Sequence, residues 1–486
     1  MVLVLLIALT FALAPVPGGT AVQPDPSDVV GLWKGTASAG EQRSDVGIEI
    51  RQLANGVGFF LTLPPLHAWR MPVGYLTSKP DGGWTIDDWH IALRRAGDRL
   101  IGELGDPRVT FVATRADALP AEPAEPAEPE PPSGPSPAWI YQTGARLWAG
   151  LAASGEMIVA ADTAGTVHAI RAQSGESIWR ARGEAPTYGA PAISGDSVFV
   201  LDDGGTLRRL ARVDGREVWR VDLGGARPAR VLPAATVFDF DFHAPSPVID
   251  GGVVYITSPS GVVHAIDAAD GRVRWRRDLK SRVRASVALS PARVFVGTLD
   301  NDVVALDRST GADVWRTRLT GPVVSAATVA GPVVIVGSRG AWLSGLDEAS
   351  GREIWARFQW ISWVESTGTL VDGRYHVGSS DLRAVRAIEP STGRAIWETD
   401  VLGWAWGTPA VTADRVYVGV AGPQKYVTRH AAGLVALDRK TGRIVWRRPV
   451  PPYATEFVSG YPGSVVVVGD VLVAPNVSGA IEGYRR

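Results

Sequence analysis

The sequence predicts an all-β protein: an eight-bladed β-propeller preceded by a small antiparallel β-barrel-like domain. Three observations carry that prediction. A twelve-residue segment recurs seven times, mostly about 40 residues apart, and each copy sets a tryptophan four residues after a glycine. Segments upstream of the copies are short, apolar and bounded by turns, as strands are. The chain of 486 residues holds 55 glycines and 35 prolines, which points to many turns and few long helices.

The copies read "AIRAQSGESIWR" from Ala169, "RLARVDGREVWR" from Arg209, "AIDAADGRVRWR" from Ala265 and "ALDRSTGADVWR" from Ala305. Three more follow: "GLDEASGREIWA" from Gly345, "AIEPSTGRAIWE" from Ala387 and "ALDRKTGRIVWR" from Ala436. A catalytic motif is normally used once, whereas a period near 40 residues marks a modular array whose units bury their faces against neighbours. Before each copy stands a relative of "PAVTADRVYVG" (from Pro409). Each unit therefore reads as strand, tight turn, strand, turn, strand, glycine turn and a last strand carrying the tryptophan. Four antiparallel strands per 40 residues make a propeller blade. The glycine suits a turn position with positive φ, and the aspartate and hydroxyl residues can bond turn amides.

Tryptophans 139, 179, 219, 275, 315, 355, 397 and 446 count the blades, at spacings of 40, 40, 56, 40, 40, 42 and 49. Trp139 opens the series with no strand of its own blade before it, and the last unit stops at Arg486 after three strands. The two fragments sum to one blade, so the ring closes by pairing its ends.

Ahead of the repeats, residues 28–115 form the barrel-like domain. "VGIEIRQL" (from Val46), "WHIALRR" (from Trp89) and "RVTFVATR" (from Arg108) alternate like half-buried strands, and about seven strands are expected. Residues 116–137, with their Ala-Glu-Pro repeat, read as a semi-rigid polyproline spacer. Residues 138–486 are the propeller. Residues 1–21 read as a signal peptide lacking a basic start, so a periplasmic or secreted location is expected, with no membrane span in the mature chain. No cysteine is present, which excludes disulfides, thiolate metal sites, a cysteine nucleophile and a lipid anchor on an N-terminal cysteine. A net charge of −1 without a basic block gives no reason to expect nucleic acid.

The repeats resemble those of the quinoprotein-like (PQQ-like) eight-bladed propellers, over residues 138–486. The resemblance implies that the eight tryptophans dock between neighbouring blades. It implies either of two functions: dehydrogenases of alcohols and sugars, or non-enzymatic scaffolds of the BamB type. "GLW" at Gly31 resembles the opening of lipocalin-like barrels.

Both long insertions, 223–243 and 421–433, fall on one face of the ring, where function usually sits. Aligning the inner strands puts Leu147, Tyr188, Ala244, Arg284, Val324, Glu365, Trp406 and Tyr461 at one mouth. Arg282, Trp363 and Trp404 stand two residues earlier in the same pleat phase. Aromatics, arginines and a carboxylate around one opening suit a flat or anionic ligand, or a partner peptide; they equally suit packing between blades. Asp239 and Asp241 of "DFDFH" are candidate calcium ligands, without the glycine-centred loop that a metal cage would favour. The leading expectation is a non-catalytic binding scaffold for a protein, peptide or glycan, with no catalytic residue and no cofactor. The alternative is a dehydrogenase carrying pyrroloquinoline quinone and calcium. Its relatives commonly cover the quinone with a disulfide of adjacent cysteines, which this chain does not have.

Overall fold

The computed structural model describes residues 25–123, 131–225, 229–232, 240–423, 426–453 and 457–486; the expected leader at 1–21 lies outside them. Between Gly31 and Arg115, nine strands form one antiparallel sheet. Its two edge strands, Ala68–Tyr75 and Thr77–Ser78, are consecutive in the chain, so the sheet curls almost shut around Leu76. The strands beyond the expected seven include Thr77–Ser78 and Trp84–Ile86, which are too short for alternation to reveal. Ile48, Ile50, Phe59, Leu61, Leu100 and Phe111 fill the interior. Trp33 is fully buried, donates its indole N–H to the Val29 carbonyl at 2.8 Å, and lies 4.4 Å from the Arg115 guanidinium.

The remainder is a ring of eight sheets. Seven blades are sets of successive strands, spanning 152–182, 192–222, 248–278, 288–318, 328–358, 369–400 and 410–449. In the eighth, Trp139–Gln142 pairs with Ala480–Arg485, next to Val471–Pro475 and Val466–Val468. The two ends of the repeat region thus share a blade, as their complementary fragments predict. End-to-end pairing leaves no unfinished blade at the seam, where an open edge would be an aggregation hazard.

The repeated segment fastens each blade to the next. Trp315 donates its indole N–H to the Glu348 carbonyl at 3.0 Å, and a Cβ added at Gly351 would lie 2.6 Å from its ring. Gly351 sits at φ +73, so glycine answers both the turn geometry and the close approach of the indole. Trp139, Trp179, Trp219, Trp275, Trp355 and Trp397 make the same bond to the next blade at 2.8–3.2 Å. Within the turn, the Asp307 carboxylate accepts from the amides and hydroxyls of Ser309 and Thr310, which hold its pKa down at about 2.

Trp446 differs, because the third and fourth strands of the closing blade come from the two ends of the repeat region and no glycine turn joins them. Its ring is covered by Gly134, where an added Cβ would lie 2.5 Å away. Gly134 donates its N–H to the Arg447 carbonyl at 2.9 Å, and Arg447 donates to Pro132 at 3.0 Å. The end of the proline-rich segment is therefore bound to the ring rather than being spacer throughout.

The barrel and the ring share a core. Trp342, Phe358 and Trp360 from the fifth blade and its exit cluster with Leu66, Ile91 and Leu104 of the barrel. The Gln42 side chain brackets the Phe358 backbone, donating to its carbonyl at 3.0 Å and accepting from its N–H at 2.8 Å. Trp342 donates to Asp106 at 3.0 Å, with the Arg108 guanidinium 3.9 Å above its ring.

Candidate functional site at the mouth of the ring

Every blade contributes a short stretch to a central cavity of about 400 Å³. Small residues let the chains converge there, and hydroxyls tie blade to blade. Ser246 accepts the Ala190 N–H at 2.8 Å, Ser286 that of Ser246 at 2.8 Å, Thr367 that of Ala326 at 3.0 Å and Ser464 that of Thr408 at 2.9 Å. Tyr188, Arg284, Glu365 and Trp406 line this cavity.

The insertion after the second blade enters the mouth and takes up their functional groups. Asp241 accepts both Nε and Nη2 of Arg284, at 2.6 and 2.7 Å, a bidentate pair whose guanidinium is 2% exposed. Phe242 packs against Trp148 (4.9 Å between centroids) and Trp406 (5.1 Å), and Phe240 meets Trp404 and Trp406 at 5.9 Å each. Trp404 and Trp406 stack on one another at 4.5 Å and 15°. Arg339 bonds Glu365 at 2.8 Å and also donates to the Phe240 carbonyl, while His243 Nε2 lies 3.4 Å from Glu365. Arg230 grips Asp203, donates to the His243 carbonyl and lies 4.6 Å over Tyr188.

These pairings set the protonation states. Burial alone would raise the pKa of Glu365, but the Arg339 charge and His243 pull it down to about 2. Burial likewise opposes Asp241, and the hydrogen bonds and charge of Arg284 hold it below the usual carboxylate range. Desolvation raises the Tyr188 phenol.

The second insertion closes the same face from the other side. Asp381 accepts the Trp404 indole N–H at 2.7 Å and the Tyr426 hydroxyl at 3.1 Å, with His430 Nε2 at 3.9 Å. Its side chain is 27% exposed, no lysine or arginine pairs with it among the described residues, and desolvation raises its pKa to about 6. Burial pushes His430 down to about 4.

Five of the eleven residues aligned to the mouth lie outside the cavity lining; one is Leu147, 1% exposed in the core between the closing and first blades. Tyr461 is 1% exposed and turns between the last two blades, donating to Glu482 at 2.6 Å. Gly460, at φ +90, and the pairing of Val458–Gly460 with Ala421–Pro423 redirect the chain there, so Pro462, Gly463 and Ser464 face the cavity instead. Arg282 is exposed and outside the cavity, and Trp363 is half-buried under the Arg339 guanidinium at 4.5 Å. Trp404 is 1% exposed behind Trp406. Of the candidate calcium ligands, Asp239 lies outside the described residues and Asp241 is bound to Arg284. No group of three or more potential metal ligands occurs among the described residues. Sequence reasoning missed Phe240, Phe242, Arg230, Arg339 and Asp381. The alternation of Phe240 and Phe242 inside an insertion was the available sign that this segment is buried.

Comparison with known proteins fits this architecture. The family described as outer membrane protein assembly factor BamB matches residues 130–241, 239–296, 259–364 and 339–486, which together run through the whole ring. The chain belongs to that family. Within the PQQ-like, BamB-type family, it is 44% identical over 222 residues to the outer membrane protein assembly factor BamB of Legionella pneumophila, covering 44% of this chain and 57% of that protein. It is 36% identical over 66 residues to the quinohemoprotein alcohol dehydrogenase ADH-IIG of Pseudomonas putida, covering 11% of this chain and 9% of the enzyme. The chain thus spans under two thirds of both relatives.

Among solved structures, BamB from Moraxella catarrhalis superposes with a TM-score of 0.55 at 20% identity, over 72% of this chain and all of that one. The quinohemoprotein alcohol dehydrogenase of Comamonas testosteroni superposes with a TM-score of 0.55 at 14% identity, over 72% and 76%. Both likenesses concern the fold alone.

Proposed function

We propose that this BamB-type chain is a non-catalytic binding scaffold of the cell envelope that takes part in assembling outer-membrane proteins through protein partners. The observation that carries this reading is the occupied mouth: Phe240, Asp241 and Phe242 of the first insertion take up the faces of Trp404 and Trp406 and the charge of Arg284 beside the cavity that remains. Pyrroloquinoline quinone, implied by the family's dehydrogenases, does not fit the residues present. A planar tricarboxylate needs an open aromatic face and free cations. Trp404 and Trp406 cover each other and are flanked by phenylalanines, while Arg230, Arg284 and Arg339 are each committed to a carboxylate. Nothing in the cysteine-free chain supplies a disulfide cover. No helix among the described residues is long and apolar enough to cross a membrane.

The test has two arms. The purified chain, mixed with the quinone and calcium, should show no dye-linked oxidation of ethanol or glucose. Immobilised on beads, it should retain the solubilised outer-membrane assembly machinery of the cells that make it. Turnover in the first arm, or no retention in the second, overturns the proposal.

A further inference from the structure

The outer edge of the seventh blade carries a second feature, on the rim rather than at the mouth. All eight rim tryptophans lie under a glycine, where an added Cβ would stand 2.4–3.1 Å from the ring. Seven of those glycines sit in the turn before the last strand of the next blade. The eighth, Gly134, comes from outside the blades and lies over Trp446 and against the side chain of Arg448. Its segment pairs with the outer strand Ile444–Pro449 as a further strand would: Ser133 bridges Arg447 in parallel. The Arg447 N–H donates to the Pro132 carbonyl at 3.0 Å, and the Gly134 N–H donates to the Arg447 carbonyl at 2.9 Å.

This cover is lightly held. Both hydrogen bonds fall on one residue of a six-residue strand. Pro131, Pro132, Pro135 and Pro137 have no N–H to give, so the segment cannot run a ladder along the edge. Pro132 and Ser133 are exposed, and Gly134 alone is buried. The seven other glycines are fixed by the blade that carries them, whereas Gly134 is held by its contact with Trp446 and by these two bonds. A proline-free segment in the same register keeps the glycine contact and follows more of the edge, gaining main-chain bonds that the chain's own segment does not make.

We infer that the outer edge of the seventh blade docks an extended, glycine-bearing segment of a partner protein, and that Pro132–Gly134 is the chain's own placeholder there. What the edge already holds selects the occupant: a parallel extended segment of uncharged residues, with a glycine over Trp446. Any larger residue at that position meets the indole, so the glycine is the specificity element and the main chain supplies the affinity. The inference is independent of what the mouth does and of which machinery the ring engages.

A fluorescein-labelled Thr-Val-Ser-Gly-Thr-Val peptide, titrated with the full chain and read by anisotropy, tests it. Gly134→Val drives the chain's own segment off Trp446. That variant should bind the peptide on the order of tenfold more tightly than the wild type, which must first release its placeholder. Ser133→Ala, exposed in the same segment, should bind like the wild type, and a peptide with alanine in place of glycine should not bind. In the wild-type chain, excess peptide should slow hydrogen exchange of the Arg447 amide about tenfold, a reading that needs no variant. No binding to Gly134→Val, equal binding of the alanine peptide, or unchanged exchange at Arg447 overturns the inference. Dimerisation of Gly134→Val without peptide binding also overturns it, by giving the edge to a second copy of this chain.

Discussion

The rim and the mouth of the ring solve the same problem of holding blades together by opposite means. At the rim one contact is repeated: an indole donates to the next blade's carbonyl and lies on the next blade's glycine. At the mouth a hydroxyl contact between neighbouring blades recurs, but the large side chains at the opening do not. Each blade offers a different side chain, and an insertion supplies Phe240, Asp241 and Phe242 to meet them. A periodic contact can be read and replaced locally, whereas a unique cluster stands or falls together.

The largest expected loss is at the rim. Trp315→Ala removes a large ring packed between two blades and should cost about 3–5 kcal/mol, measured by urea unfolding. Trp406→Ala should come close, at about 3 kcal/mol, because Trp406 is 4% exposed within the aromatic cluster. If Trp406→Ala unfolds like the wild type, the mouth aromatics are not packing residues and the contrast fails.

A smaller effect distinguishes the mouth by pH. The raised pKa of Asp381, about 6, means that the folded state favours its protonated form. That contribution is present below the unfolded value near 4 and is lost as pH rises through 6, on the order of 2 kcal/mol in all. Asp381→Asn should flatten the change in melting temperature between pH 4.5 and 7.5, and an unchanged slope would place the titration elsewhere. The smallest effect is expected at Gly134→Ala, where an added methyl meets the Trp446 ring. About 1–2 kcal/mol should be lost, because the exposed segment can partly withdraw. Gly351→Ala, which also forces a left-handed turn on alanine, should lose more.

The rim was legible in the sequence because its logic is periodic: glycine, tryptophan and strand alternation return seven times, and the end fragments announce closure. The mouth was legible only in part. Alignment along the inner strands brought Tyr188, Arg284, Glu365 and Trp406 to one opening, since those strands share a pleat phase. It misplaced Tyr461, where Gly460 turns the chain out of phase. Asp241 as the partner of Arg284 had no signature, because an ion pair across 43 residues depends on the path of an insertion that no other blade has. The barrel seam was equally hidden: Gln42 meets Phe358 across 316 residues, and nothing in either segment's pattern names the other.

The claim that the mouth is closed by the chain's own insertion is tested most directly by a double-mutant cycle on Asp241 and Arg284. Urea unfolding of Asp241→Ala, Arg284→Ala and the double variant gives their coupling energy. Arg284 is almost completely buried and held by two hydrogen bonds, so coupling of about 2 kcal/mol or more is expected, with Arg284→Ala costing about 3. Additive effects with no coupling would mean that the insertion does not occupy the mouth in solution, and would reopen it as a ligand site.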